Sequence, residues 1–148
     1  MTTPTTPTTP TTPTTPTAAL ASPAWILAGR LRNVPGVLVA ERGVLEFRTE
    51  SGPAFTAPVT EVGPVTWPWW WFGGGFVATV RGERFKITFV RPNGAPAANA
   101  SLLDAAFTAA GLIDSGFGPF RAVTGLRDVA TGRAAARQWK QLLPQTVR

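Results

Sequence analysis

The stretch FVATVRGERFKITFV, residues 76–90, decides the fold class of this chain. Apolar and polar side chains alternate along its second half, so that the aromatic and branched residues fall on one face and the charged residues on the other. Period-two alternation is typical of a half-buried β-strand, and Arg81-Gly82-Glu83 supplies a tight turn between two such segments. The stretch therefore predicts an antiparallel hairpin made of strands 76–80 and 84–90.

Similar short runs, rich in β-branched and aromatic residues and separated by glycine and proline, precede this hairpin. Their close spacing predicts a mainly β domain. Pro58 ends one of the runs and confines it to an edge or an end of the sheet, because proline cannot donate to a strand ladder. The predicted strands cover residues 25–32, 36–40, 44–49 and 55–58.

Two helices are predicted after the hairpin. At about 100–111 the chain is alanine-rich with a helical period, and Ser101 and Asp104 have the spacing of a capping box. The second helix, at about 128–143, has one narrow apolar stripe next to a basic face. The stripe contains Val129, Gly132, Ala136, Trp139 and Leu143, and the basic face contains Arg133, Arg137 and Lys140.

The N-terminal segment differs from the rest of the chain. Residues 2–16 are five copies of Thr-Thr-Pro, without charge or a large apolar side chain. Such a repeat favours solvated polyproline II, so residues 1–24 are predicted to be a disordered tail before a single domain, 25–148. The tail is interpreted as a spacer, as a set of sites for phosphorylation or glycosylation, or as a ligand for an aromatic-lined groove.

Composition argues against catalysis. The chain has no cysteine, no histidine and no tyrosine, and its eight acidic residues form no paired cluster. The commonest general base and the commonest metal ligands are therefore missing, and we expect no enzyme activity, no catalytic residue, no metal and no cofactor. The net charge of +6 comes almost wholly from twelve arginines. It permits a polyanionic partner, or it reflects an arginine-rich composition alone.

The order of elements, several short antiparallel strands and then an amphipathic helix with one tryptophan, resembles the pleckstrin-homology (PH) superfold. The likeness is to small bacterial PH-like and GRAM-like domains. It is carried by the turn-and-strand segment 36–47, the strand-and-corner segment 55–62, and the helix 133–143 with Trp139. The resemblance implies a PH-like antiparallel barrel or two-sheet sandwich, capped by the C-terminal α-helix. The helical stretch before the cap is then an extra insert.

This resemblance implies a binding module and leaves the ligand open. In lipid-binding members of the superfold, basic residues of the first strands and their loop contact phosphates. Arg30 and Arg32 occupy such positions here. If the first strand lies near the hairpin, Arg84 and Lys86 extend the same basic patch, and a solvated strand face is the alternative interpretation.

The most unusual segment is WPWWWFGGGF, residues 67–76. As a strand it would place Trp67, Trp69 and Trp71 on one face and Trp70 with Phe72 on the other, so that one core cannot bury every ring. Either the insert helix covers the second face, or rings are exposed for insertion into lipid or a protein partner. The three glycines lack the strand-to-helix context of a phosphate-binding loop.

The sequence thus predicts a non-catalytic PH-like module that docks on a protein partner or an anionic membrane surface. A scaffold that self-associates through the tryptophan-rich strand is the alternative. Nucleic acid is not favoured, since no stacking aromatics accompany the arginines. No transmembrane segment or signal peptide is expected, which favours a cytoplasmic protein, peripheral at the membrane. The candidate ligand-binding residues are Arg30, Arg32, Arg84, Lys86, Trp69, Trp70 and Trp71.

Overall fold

A computed structural model describes residues 20–29, 32–97, 99–109 and 126–144, with the side chains of 106–109 and 126–130 outside that description. Six antiparallel strands form one sheet in the order β4-β3-β2-β1-β6-β5, and two helices follow. The prediction of a mainly β antiparallel fold with an inserted helix and a C-terminal helix is confirmed. The elements are β1 (Leu20–Leu27), β2 (Asn33–Glu41), β3 (Val44–Thr49), β4 (Gly52–Pro58), β5 (Gly75–Val80), β6 (Glu83–Thr88), α1 (Ala100–Ala109) and α2 (Leu126–Leu142).

Two tight turns connect the hairpins that the sequence predicts. Arg42-Gly43 joins β2 to β3 and Arg81-Gly82 joins β5 to β6, and all four residues have positive φ. Two-residue turns with positive φ at both positions match the right-handed twist of the strands, and glycine takes the second position without strain. The predicted strand 44–49 is found with the same bounds. The hairpin is confirmed, with both strands beginning one residue earlier than predicted and β6 ending two residues earlier, at Thr88.

The sheet curls into a half-barrel, so that β4 and β6 approach each other across the concave side. Phe55 of β4 meets Phe85 of β6 with ring centroids 4.7 Å apart. Beyond β5, the chain between residues 62 and 66 adds two isolated antiparallel bridges, at Val80 and Val77. β4 lies at the opposite edge and ends at Pro58, as predicted.

The main core fills the concave side, and α2 packs over it. Trp139 is fully buried, stacks on Phe89 with ring planes 15° apart, and donates its indole N–H to Ser22 Oγ at 2.9 Å. Gly132 lies against the backbone of Phe89, where an added Cβ would come within 2.8 Å of the carbonyl oxygen. The predicted stripe is confirmed for Gly132, Ala136, Trp139 and Leu143, while the side chain of Val129 lies outside the described residues.

The convex side is covered by α1 over β1 and β2. Leu103, with Leu102 beside it, packs against Ala21, Val37 and Val39. The predicted capping box at Ser101 is wrong, because the residue that caps the helix is Asn99. Its side-chain oxygen accepts a hydrogen bond from the Ser101 backbone N–H at 2.8 Å, which satisfies one of the unpaired donors of the first turn.

Two sequence predictions need correction. The first strand was predicted at 25–32, but β1 covers Leu20–Leu27, so the last residues of the predicted tail 1–24 belong to the sheet. Pro23 is tolerated in β1 because β6 pairs with this strand only at Trp25 and Ile26. On the β6 side, no partner strand needs a backbone hydrogen bond from position 23. The tryptophan-rich run was predicted as a strand, but Trp69–Trp71 form a turn of 3-10 helix.

Because β1 begins at Leu20, a truncation has to stop before that residue to test the tail alone. We expect removal of residues 1–17 to leave the melting temperature unchanged, since these residues offer almost no apolar side chain that burial would stabilise. Differential scanning calorimetry of the full and truncated chains measures this. A loss of several degrees would show that the repeat contributes to the fold.

Candidate functional site

The candidate site is the turn that carries consecutive aromatic residues between the bridge at Thr66 and strand β5. We call residues 69–72 the aromatic turn. Pro68, which precedes it, is buried and enters with extended backbone. The turn is closed by hydrogen bonds from the Trp71 N–H to the Pro68 oxygen at 3.1 Å and from the Phe72 N–H to the Trp69 oxygen at 3.0 Å. Successive side chains of a 3-10 helix point about 120° apart, so that three adjacent rings cannot share one core.

Two tryptophans anchor the aromatic turn to the domain. Trp67, just before it, is half-buried and packs on Phe76 with ring centroids 5.2 Å apart. The ring of Trp71 is half-buried over Gly75, where an added Cβ would lie 3.0 Å from the indole. The absence of a side chain at Gly75 therefore lets Trp71 lie close to the sheet.

The remaining rings of the aromatic turn face solvent. Trp69 is 80% exposed, Trp70 58% and Phe72 73%. Trp69 and Trp70 contact each other edge to face, with centroids 5.9 Å apart. The insert helix does not cover them in the described part of the chain, because α1 packs on β1 and β2. The alternative in which rings are exposed is the one that the structure supports.

Phe72 combines exposure with an unusual backbone conformation. Its φ of 49° and ψ of 32° lie in the left-handed region, which a bulky side chain rarely adopts and which costs roughly 1–3 kcal/mol. Gly73, the next residue, also has positive φ. A large apolar ring is therefore exposed to solvent at a position whose backbone conformation favours glycine.

Hydrogen bonds at both ends hold the aromatic turn in one position. On the entry side, Thr66 and Val77 exchange two backbone hydrogen bonds of 2.9 and 2.8 Å. On the exit side, the Gly74 oxygen accepts from the Phe89 N–H at 2.8 Å and from the Thr88 hydroxyl at 3.2 Å. The exposed rings are thus presented by an ordered base, which lowers the entropy cost of binding.

A basic helix face lies beside the aromatic turn. Arg133, Arg137 and Lys140 of α2 are exposed, and we call them the basic face. The Arg133 guanidinium carbon lies 6.0 Å from the centroid of the Phe72 ring, and Lys140 Nζ lies 6.0 Å from that of Trp67. Both contacts are at the usual limit for cation–π attraction.

The predicted basic patch is not joined to the tryptophans. Arg84 and Lys86 are exposed on the convex face of β6, and Arg84 lies beside the β5–β6 turn, whereas the aromatic turn enters at the other end of β5. Arg32 is exposed at an open cleft that Asn33 and Asn93 also line. Arg30 lies outside the described residues. Of the predicted site residues, Trp69, Trp70 and Trp71 come together in the aromatic turn.

Two contributions were missed by sequence reasoning. Phe72 was treated as a strand residue, although the glycine that follows it is a signal for a turn with positive φ. The spacing of the basic face was recognised, but nothing in the sequence places α2 next to the tryptophans.

Known proteins give no further guidance, since no family model, no curated protein and no solved structure matches the chain. The likeness to the PH superfold therefore stays a prediction from the order of elements. In the described part of the chain, neither helix has the length and apolar character needed to cross a bilayer.

Proposed function

We propose that this protein is a non-catalytic binding module that docks on an anionic membrane surface by inserting its aromatic turn. The observation that carries the proposal is the exposure of Trp69, Trp70 and Phe72 at one ordered projection. Tryptophan favours the boundary between headgroups and acyl chains, because its ring is apolar and its N–H can still reach a polar partner. Peripheral proteins use such rings as shallow anchors.

The size of the exposed surface favours a membrane over a protein partner. A large aromatic side chain offers roughly 150–250 Å². With the exposures of Trp69, Trp70 and Phe72, the three rings present roughly 300–500 Å² together. A stable protein interface buries about 800 Å² on each partner, around a well-packed centre. A lipid interface needs no such matching surface, because it deforms around a small projection.

The strain at Phe72 supports the same conclusion. Replacing this residue by glycine removes the steric penalty of the left-handed backbone, and no buried contact is lost because the ring is 73% exposed. In the free chain the exposed ring contacts Arg133 at 6.0 Å, the limit of cation–π attraction, and so contributes little to stability. Its contribution is expected in the bound state.

Trp70→Ala is expected to reduce association with anionic vesicles at least tenfold and to change the free energy of unfolding by less than about 1 kcal/mol, because the ring is exposed. Co-sedimentation of the full chain with phosphatidylcholine vesicles of increasing phosphatidylserine content measures the first, and urea denaturation the second. Val44→Ala is the matched control, since Val44 is an exposed apolar residue of β3, away from the aromatic turn.

Three results separate the proposal from its alternatives. A parent chain that ignores vesicles at every charge would overturn it. Equal sedimentation of the parent and Trp70→Ala would show that the aromatic turn is not the anchor. A dimer that forms without lipid and that Trp70→Ala dissolves would instead favour self-association, in which the exposed rings and not a tryptophan-rich strand join two copies. Acrylamide quenching with and without vesicles then reports whether lipid covers the rings.

A further inference from the structure

We propose that the basic face of α2 is the part of the molecule that recognises anionic headgroups, and that it does so in the same contact that inserts the aromatic turn. This inference rests on the proposed membrane function and assigns the charge recognition to Arg133, Arg137 and Lys140. From the sequence, recognition of an anionic partner was predicted at Arg30, Arg32, Arg84 and Lys86. The experiment below compares the two locations.

The positive charges of α2 lie together on one side of the helix. The three cations stand at positions i, i+4 and i+7, which places them on one side of the helix over about 10 Å. The helix segment from Thr131 to Pro144 contains no acidic residue. In the described part of the chain, ion pairs occupy Arg42, Arg48 and Arg81, and no carboxylate pairs with Arg133 or Arg137. Among the described residues, Arg133 and Arg137 therefore present positive charge that no carboxylate neutralises.

The cations of the basic face lie next to the aromatic rings. Arg133 reaches Phe72 and Lys140 reaches Trp67, so the row of cations runs alongside the aromatic turn from its last residue to the tryptophan before it. A surface that takes in the exposed rings therefore meets the basic face in the same approach. The basic patch on β6 does not share this geometry, since Arg84 and Lys86 are exposed on the convex face of the sheet and α2 packs on the concave face.

Helix α2 is held in this place by packing that does not involve its cations. Trp139 is fully buried, Gly132 allows the helix to lie against the backbone of Phe89, and the Pro144 oxygen accepts a hydrogen bond from the Val65 N–H at 3.1 Å. Rings and cations are thus two fixed parts of one surface. Exposed rings with cations beside them match the boundary of an anionic bilayer, where headgroups carry the charge and the acyl layer lies just beneath.

The experiment compares two double variants that lose the same charge, Arg133→Gln/Arg137→Gln on α2 and Arg84→Gln/Lys86→Gln on β6. All four residues are exposed, so both variants are expected to fold. Each cation near an anionic membrane contributes about a fivefold gain in affinity, so the α2 variant should lose about 25-fold on phosphatidylserine-containing vesicles. The β6 variant should lose no more than about twofold.

Other outcomes have distinct meanings. Equal losses in the two double variants would show that binding follows net charge, and a larger loss in the β6 variant would place recognition on the hairpin; either result overturns the inference. If Trp70→Ala abolishes sedimentation while the α2 variant binds like the parent, the inference fails and the membrane function stands. If the parent does not bind vesicles, both fail. Phosphatidylglycerol in place of phosphatidylserine should give the same order of affinities among the variants, because the basic face binds negative charge.

Discussion

Trp139→Ala is expected to lower the free energy of unfolding by about 3–5 kcal/mol, as removal of a large buried ring typically does. Trp139 has no exposed surface, and its ring lies between α2 and the end of the sheet, stacked on Phe89. The substitution leaves a cavity that neither the helix nor the sheet can close. It also leaves the hydroxyl of Ser22 without its indole partner. Urea denaturation followed by circular dichroism measures the loss.

The control for this prediction is Trp70→Ala, which makes the same chemical change at a position that is 58% exposed. Ser22→Ala separates the two contributions of the buried ring, because it keeps the packing and leaves the indole N–H without an acceptor, at a cost of about 1–3 kcal/mol. If the Trp139→Ala protein unfolds at the same urea concentration as the parent, α2 does not close the core, and its basic face need not lie beside the aromatic turn.

The second large effect is expected at Gly36, where alanine should destabilise the fold by about 1–3 kcal/mol through overpacking. An added Cβ at this position would overlap the backbone oxygen of Arg48 and the ring of Phe47. Phe47 is fully buried, and Arg48 follows a shift in register between β3 and β4. Neither neighbour can move without disturbing the concave core, so the strain remains in the folded state. Thermal unfolding of the purified variant gives the magnitude.

Gly63→Ala serves as the comparison, because Gly63 lies beside β5, where its N–H donates to the Thr79 oxygen at 2.8 Å, and like Gly36 it does not have positive φ. There the nearest atom to an added Cβ is the Thr79 oxygen at 3.3 Å, so that a small adjustment suffices. We expect the Gly63 variant to remain within about 0.5 kcal/mol of the parent, as surface substitutions usually do. Equal destabilisation of the two variants would mean that replacing a glycine near the sheet is costly in either place, and that contact with Phe47 is not the cause.

The hairpins and α2 could be predicted from the sequence because patterns of neighbouring residues determine them. Alternation along residues 84–90 fixes which side chains enter the core, and Arg81-Gly82 fits the turn that this pairing requires. The apolar stripe of α2 likewise follows from spacing alone, and Trp139 is the aromatic residue in it. Local pattern and tertiary packing agree at these elements, as is usual for a foldable sequence.

The aromatic turn could not be predicted in the same way. Consecutive tryptophans have high β-propensity, and in isolation Trp67 to Phe72 favours a strand. The 3-10 conformation arises because Pro68 is buried against the domain and Phe72-Gly73 turn the chain back into β5. The start of β1 was missed for a related reason, since Ser22 and Pro23 are poor strand residues and Ser22 is explained only by its hydrogen bond to Trp139, far away in sequence.

The location of the candidate site depends on a contact between distant segments. The basic face is visible in the sequence as a spacing, and the tryptophans as a run, but 60 or more residues separate them. The packing of α2 on the core, through Trp139, Gly132 and the hydrogen bond from Val65 to Pro144, brings the two together. The sequence analysis therefore gave the tryptophans and a separate basic patch, at Arg30, Arg32, Arg84 and Lys86, as candidates and did not include Arg133.

The edge strands of the half-barrel, β4 and β5, affect how readily copies of the protein can aggregate. An unpaired strand edge is a template for another chain, and sheets joined in this way grow into aggregates. The edge of β5 is occupied by the bridges to residues 62–66, and β4 carries Pro53 and Pro58, which remove two backbone donors from its seven residues. Addition of strands from a second copy is disfavoured at both edges. Edge-to-edge growth of the sheet into fibrils is therefore disfavoured, even though the rings of the aromatic turn are exposed.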